Sequence, residues 1–202
     1  GRGALKLTGA LDALGVLPAG KVAVDVGAST GGFTETLLER GAARVYAVDV
    51  GRGQFHERLR QDPRVVVRDR TNARALSPEV VPEPCALAVM DVSFISVRKI
   101  LPALRSVLAP GAEAVVLVKP QFEVGRFQVG RGGLVKDPAL HLQALSEVAQ
   151  EAERLGYAVR GACPSPVPGT EGNREFFLHL VPGAGGLAPG EIETCLRKAV
   201  LP

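Results

Sequence analysis

The sequence predicts an α/β domain built on an open, doubly wound, mostly parallel sheet with helices on both faces. Three observations carry this reading. Short runs rich in valine and other apolar residues recur at wide spacing, helical patterns lie between most of them, and a glycine-rich turn follows the first run. The runs are apolar throughout rather than alternating, as strands buried on both faces require.

The expected strands are KVAVDV (21–26), RVYAVDV (44–50), RVVVRD (64–69), ALAVMDV (86–92) and EAVVLVKP (113–120). Between the first two, GGFTETLLERG carries Phe33, Leu37 and Leu38 as an apolar face, with Gly41 as its stop. SVRKILPALRSVLAPG offers Ser96 as a helix cap and Pro110-Gly111 as an end, with Pro102 either bending the helix or marking a late start. DPALHLQALSEVAQEAERLG is capped by Asp137, takes Pro138 in its first turn and ends at Gly156. Beyond Gly156 the helices drop out. YAVRGACPSP and REFFLHLV read as two strands joined by a Pro/Gly-rich connection (164–173), an antiparallel pair closing a parallel sheet. Residues 1–20 are read as a leading segment, 21–182 as the domain, and 183–202 as a tail with one short helix.

Composition bounds the function. The 202 residues are 46% hydrophobic and 22% charged, as in an ordinary globular domain. No window approaches the roughly 18 uninterrupted apolar residues of a spanning helix, and GRGALKL does not read as a signal peptide. Three widely spaced cysteines without a CxxC pair argue against a disulfide framework or a zinc site and suit a reducing cytoplasm. The expectation is a cytoplasmic enzyme with no membrane partner and no metal. Nothing in the sequence indicates an oligomeric state.

The turn VDVGASTGGF, between the first strand and the first expected helix, aims backbone N–H groups and a helix N-terminus at a ligand. Its spacing, Gly27-Ala28-Ser29-Thr30-Gly31-Gly32, places Ser29 where a dinucleotide fingerprint has the glycine that admits a pyrophosphate. A nicotinamide-dependent oxidoreductase is therefore disfavoured. Asp25 precedes the turn, and Asp49 ends the next strand, where an acid suits ribose hydroxyls. A ribose without a pyrophosphate points to S-adenosylmethionine. The ordinary alternative is that both acids cap helix entrances. In RDRTNAR (68–74), Asp69, Thr71 and Asn72 are candidate adenine or ribose contacts, and equally common loop residues. Asp91 and Lys119 end the fourth and fifth strands, and Glu175 begins the last.

RGALKL, DVGASTGGFTETLLERGAARVYAVDVGRGQ, DPRVVVRDRTNAR, DVSFISV, LVKPQFEVGR, GGLVKDP and GNREFF, in this order, resemble the TlyA group of ribosomal RNA 2′-O-methyltransferases, a branch of the FtsJ-like methyltransferases whose members have also been described as haemolysins. The resemblance implies a Rossmann-like class I methyltransferase fold with a seven-stranded sheet in the order 3-2-1-4-5-7-6. It implies S-adenosylmethionine as cofactor and ribosomal RNA, or a ribosomal subunit, as partner, with a cytidine ribose as target. A Lys-Asp-Lys-Glu tetrad then falls on Lys6, Asp91, Lys119 and Glu175. Expected cofactor contacts are Asp25, Gly27, Ala28, Ser29, Gly31, Gly32, Phe33, Asp49, Val50, Asp69, Thr71, Asn72 and Asp91. The resemblance also implies an S4-type RNA-binding domain before residues 1–20, absent from this chain.

Taken singly, Asp91 reads as well as a loop-bonding acid, Glu175 as a surface strand residue and Lys6 as a solvated lysine. Charge is unevenly distributed. Residues 58–74 hold six arginines against two aspartates, and residues 98–136 hold seven basic residues against two glutamates. Such stretches suit phosphate neutralisation, and Phe122 or Phe127 could stack on a base or pack as core or lid. The competing reading is a membrane-lytic haemolysin. Its expected amphipathic segment is missing, because the helix at 138–155 carries mixed charge and no basic stripe.

Overall fold

The computed structural model describes residues 1–202. Seven strands, β1 (Val22–Val26), β2 (Arg44–Val48), β3 (Val65–Arg68), β4 (Cys85–Met90), β5 (Leu108–Val118), β6 (Tyr157–Pro164) and β7 (Phe176–Pro182), form one sheet in the order β3-β2-β1-β4-β5-β7-β6. The first five pair in parallel, and β7 is antiparallel to both β5 and β6. Only β7 is reversed. The expected antiparallel pair thus resolves into one reversed strand, because β7 inserts between β5 and β6 and leaves β6 running with β5.

The strands are apolar on both faces because each face has its own core. Val24, Val26, Ala88, Met90, Val116 and Val118 point into one cluster. Their strand neighbours Ala23, Leu87, Val89, Val115 and Leu117 point into the other. The first cluster is closed by α4 (Leu101–Arg105), α5 (Pro138–Arg154) and α6 (Pro189–Ala199). The second is closed by α1 (Arg2–Leu14), α2 (Gly32–Glu39) and α3 (Glu57–Arg60). No helix is long and apolar enough to cross a membrane.

Two elements differ from the sequence reading. Residues 2–14, within the expected leading segment, form a helix that buries Lys6, Leu7, Ala10 and Leu11. It lies close on α2, where a Cβ at Gly32 would come within 3.1 Å of the Ala4 nitrogen and 3.2 Å of the Gly3 Cα. The helix expected to run to Pro110-Gly111 instead stops at Arg105, and Leu108–Gly111 open β5. Ser96 does cap, but it caps a 3₁₀ turn (Val97–Lys99), with Pro102 in the first turn of α4. Asp137 accepts from the Ala139 N–H at 2.9 Å and starts α5 as expected.

Gly27 sets how closely β1 and β4 meet. Its φ is +82°, and a Cβ there would overlap the Asp91 carbonyl oxygen, which is backbone and cannot swing aside. Gly27→Ala is expected to cost about 3 kcal/mol or more by combining a left-handed backbone with this overlap. Urea unfolding checks it, and a loss under about 1 kcal/mol would show that the two strand ends can separate freely.

Candidate active site

The sheet order reverses between β1 and β4, and in open α/β sheets a crevice forms there beyond the carboxyl ends of the strands. Gly27, Asp49, Asp69, Asp91 and Lys119 each stand one residue past the end of β1, β2, β3, β4 and β5, respectively. Because β7 runs the other way, its start reaches the same edge, and Glu175 immediately precedes it.

A cavity of about 530 Å³ opens there, lined by Lys6, Gly27, Ser29, Asp91, Lys119 and Glu175 from the expected site. The four charged groups form two ion pairs. Lys119 Nζ lies 2.6 Å from Asp91 Oδ1 and donates to Ser93 Oγ at 2.9 Å. Lys6 Nζ donates to Glu175 Oε1 at 2.7 Å, with side chains only 8% and 3% exposed. Asp91 therefore binds a lysine rather than loop N–H groups, and neither Lys6 nor Glu175 is a surface residue.

The other expected cofactor residues surround this cavity rather than line it. Asp49 ties the glycine turn together: its Oδ2 accepts the Ser29 N–H at 2.6 Å and its Oδ1 the Gly51 N–H at 2.7 Å. Ser29 has φ +51°, and the Gly27 and Ala28 N–H groups donate to the Val48 carbonyl at the end of β2. Asp25 is fully buried and accepts from Thr34 Oγ1 at 2.7 Å, while its Oδ1 has no partner. Burial pushes its pKa up to about 7, against the opposing hydrogen bond from Thr34; Asp91 and Asp49 add a smaller push upward.

Gly31 and Gly32 make room for side chains of α3 and for the backbone of α1. The Phe33 ring turns into the core against Phe177, with centroids 6.2 Å apart. Val50 is exposed. Asp69 pairs with Arg60 at 3.0 Å, Thr71 Oγ1 donates to the Asp69 carbonyl, and Asn72 accepts from the Arg74 N–H. Thr71 and Asn72 thus bond within their own loop, and Asp69 ties that loop to α3.

Four more lining side chains, none assigned to the site from sequence, have distinctive surroundings. Ser93 holds Lys119, as described. Phe94 has φ +65°, is 89% exposed and rests on Phe122 with ring centroids 5.1 Å apart. Gln121 lines the cavity two residues beyond Lys119, and its Oε1 is buried without a partner. Asn173, itself buried, accepts the Val135 N–H and donates to the Gly133 carbonyl, both at 2.9 Å, so it pins the glycine-rich loop that roofs the cavity. All four lie inside quoted stretches (DVSF, KPQF, GNREFF), but no local rule marks them; only the fold brings them together.

In the arginine-rich stretch three of the six arginines have carboxylate partners. Arg58 pairs with Glu35, Arg60 with Asp69 and Arg64 with Asp62. In the second stretch Arg98 is held by Glu123 and Glu147, whereas Arg126, Arg131 and Lys136 are exposed around the roofing loop. Phe122 is packed beneath Phe94, and Phe127 is 97% exposed.

The model of the FtsJ-like methyltransferase family matches residues 1–181. The 16S/23S rRNA (cytidine-2′-O)-methyltransferase TlyA of Mycobacterium tuberculosis is 54% identical over 179 residues, which are 89% of this chain and 67% of that protein. A solved structure from Lactococcus lactis, described as a hemolysin, superposes with a TM-score of 0.91 at 42% identity, covering 98% of this chain and 96% of its own. An S-adenosylmethionine dependent methyltransferase from Mesorhizobium loti gives a TM-score of 0.61 at 14% identity over 85% of this chain and 95% of its own, a likeness of fold alone.

Two outcomes test the electrostatics. Lys6→Met leaves the Glu175 carboxylate buried and unpaired, so it is expected to destabilise by about 3 kcal/mol, and Lys6→Met with Glu175→Gln should recover much of the loss. Equal losses for the single and double variants in urea unfolding would contradict the pairing. Asp25 binds its proton more tightly folded than unfolded, so its contribution to stability is present below about pH 4 and is lost as pH rises to about 7. Asp25→Asn should therefore gain in melting temperature relative to the wild type across that window and hold level above it. A difference independent of pH would contradict the raised pKa.

Proposed function

The chain belongs to the FtsJ-like methyltransferase family, and on that premise we propose that it transfers a methyl group from S-adenosylmethionine to a cytidine ribose 2′-hydroxyl in ribosomal RNA. The observation that carries this reading is the Lys119 ammonium fixed between Asp91 and Ser93 at the mouth of the β1/β4 crevice, in one cavity with the Lys6–Glu175 pair.

The glycine turn fits the cofactor. Its carboxylate, Asp49, uses one lone pair of each oxygen on a backbone N–H and keeps others for ribose hydroxyls. The N-terminus of α2 opens at the turn, and the unpartnered Asp25 Oδ1 lies beneath it. When bound, S-adenosylmethionine supplies an activated methyl group on a sulfonium.

The residues of the chain then have positioning and proton handling to do. Lys119 has three N–H donors. Two are taken by Asp91 and Ser93, and the third remains for the ribose oxygen. An ammonium there stabilises negative charge as it develops on that oxygen. The hydroxyl proton released as the ribose oxygen is methylated would leave through this pair, with the Asp91 carboxylate as net acceptor and Lys119 an ammonium before and after. Ser93 holds Nζ in place. The Lys6–Glu175 pair walls the same cavity with a second fixed dipole.

The substrate side has its own features. The exposed Phe94 ring, supported by Phe122, offers a face on which the target base can stack. Arg126, Arg131 and Lys136 provide exposed cations for backbone phosphates. An S4-type module joined before α1 would enter the domain through the helix that carries Lys6.

Transfer of tritium from labelled S-adenosylmethionine to ribosomal RNA, followed by mapping of ribose methylation, tests the reading. Lys119→Ala should lower the single-turnover rate about 10²–10⁴-fold while cofactor affinity stays within about threefold. Methylation near the wild-type rate in that variant would remove Lys119 from the chemistry.

A further inference from the structure

Gln121 lines the cavity in an arrangement the chemistry above leaves unexplained. It follows Lys119 and Pro120 on a 3₁₀ turn and lines the cavity beside Phe94 and Phe122. Its Oε1 is buried and accepts no hydrogen bond from the protein. A buried acceptor left unsatisfied is destabilising, and folded proteins rarely keep one without a use. Its neighbours have partners: Lys119 with Asp91 and Ser93, Lys6 with Glu175, and Asn173 with the roofing loop. Gln121 lines the same cavity with its side-chain carbonyl oxygen unpartnered.

Its position separates the two ligands of the proposed reaction. The glycine turn, with Asp49 and Asp25 about it, stands past β1 and β2, whereas Gln121 stands past β5, next to the aromatic pair. A base lying on Phe94 turns its edge, not its face, toward neighbouring side chains. The edge that suits a carbonyl acceptor is one that bears an amine.

We infer that Gln121 is a specificity-determining residue, whose side-chain carbonyl accepts an N–H from the exocyclic amine of the target pyrimidine and so favours an amino base over a keto base. This rests on the reading of the site as an RNA ribose methyltransferase. Cytidine supplies the donor through its 4-amino group, whereas uridine places an acceptor there and meets the Gln121 oxygen with repulsion. The pairing also anchors the nucleotide two residues from the lysine that faces its ribose.

The experiment is a cycle between enzyme and substrate. An RNA that the wild type methylates is rebuilt with 2-pyrimidinone, which lacks the 4-amino group, or with uridine at the methylated position. Wild type and Gln121→Met are compared on all three RNAs by single-turnover kcat/KM. The wild type should lose about 10- to 100-fold when the amine is removed, and the variant should lose about as much on the cytidine RNA. The variant should then show little further loss on 2-pyrimidinone and a flattened preference for cytidine over uridine. Cofactor affinity should be unchanged and the melting temperature equal or higher, because the variant removes an unsatisfied buried acceptor, whereas a merely structural role for Gln121 would lower it. Penalties that simply multiply would overturn the assignment, as would an intact cytidine preference in the variant or a loss confined to cofactor binding. If the wild type methylates no ribosomal RNA ribose at all, the reading of the reaction fails first; if it does and the penalties multiply, only the role of Gln121 fails.

Discussion

The pairing of Lys6 with Glu175 is the constraint on which the site depends. The partners lie 169 residues apart, one on the first helix and the other at the start of the last strand, and both are almost wholly removed from water. An ammonium or a carboxylate buried alone would each carry a desolvation cost of several kcal/mol, so each must find the other as the chain folds. The helix is seated accordingly. Gly3 and Gly32 let α1 lie against the backbone of α2, Gly9 packs on Pro166, and Arg2 donates to the Pro168 carbonyl. These contacts tie α1 to the connection between β6 and β7, the segment that leads into Glu175. Assembly of the candidate site and closure of the fold are therefore one event.

The second organising fact is the edge at which the functional groups stand. Five parallel strands each end one residue before a turn glycine, an acid or a lysine, so these polar groups gather at the sheet edge, while Asp25 stands inside β1. The reversed β7 contributes from its other end. Packing thus remains the work of the strands and chemistry that of the residue just beyond each. Asp49 shows how the two meet, since its carboxylate fixes the glycine turn through two backbone N–H groups and still has lone pairs to offer.

How much of this could be read from the chain follows the same division. The strands were legible because a β-branched apolar run stops abruptly at a polar residue, and that stop also marks Asp49, Asp69, Asp91 and Lys119. The first four residues of β5 were not, since Pro110-Gly111 reads as a turn; the sheet takes them in through an irregularity where Cys85 pairs with Leu108 but Leu87 with Glu113. Helix α1 was obscured by Gly3 and Gly9, although Leu7, Ala10, Leu11 and Leu14 keep helical spacing. Asp69, Thr71 and Asn72 read equally as ligand contacts and as loop residues in the sequence, and the fold adds one local bond to each: Asp69 with Arg60, Thr71 with the Asp69 carbonyl and Asn72 with the Arg74 N–H. The tetrad was named through family resemblance, since nothing local distinguishes Lys6 from any surface lysine. Asn173, Gln121 and Ser93 gave no signal, because their partners, or in Gln121 the lack of one, exist only in the folded molecule.

The Asn173 amide joins two loops. One side chain in the hairpin connection satisfies both a donor and an acceptor of the glycine-rich loop, so these two loops are a single mechanical part. A chimaera that borrows either loop from a relative inherits half of a clamp. To transplant the substrate preferences of one such enzyme into another, the two segments would have to travel together, as a matched cassette rather than as separate grafts.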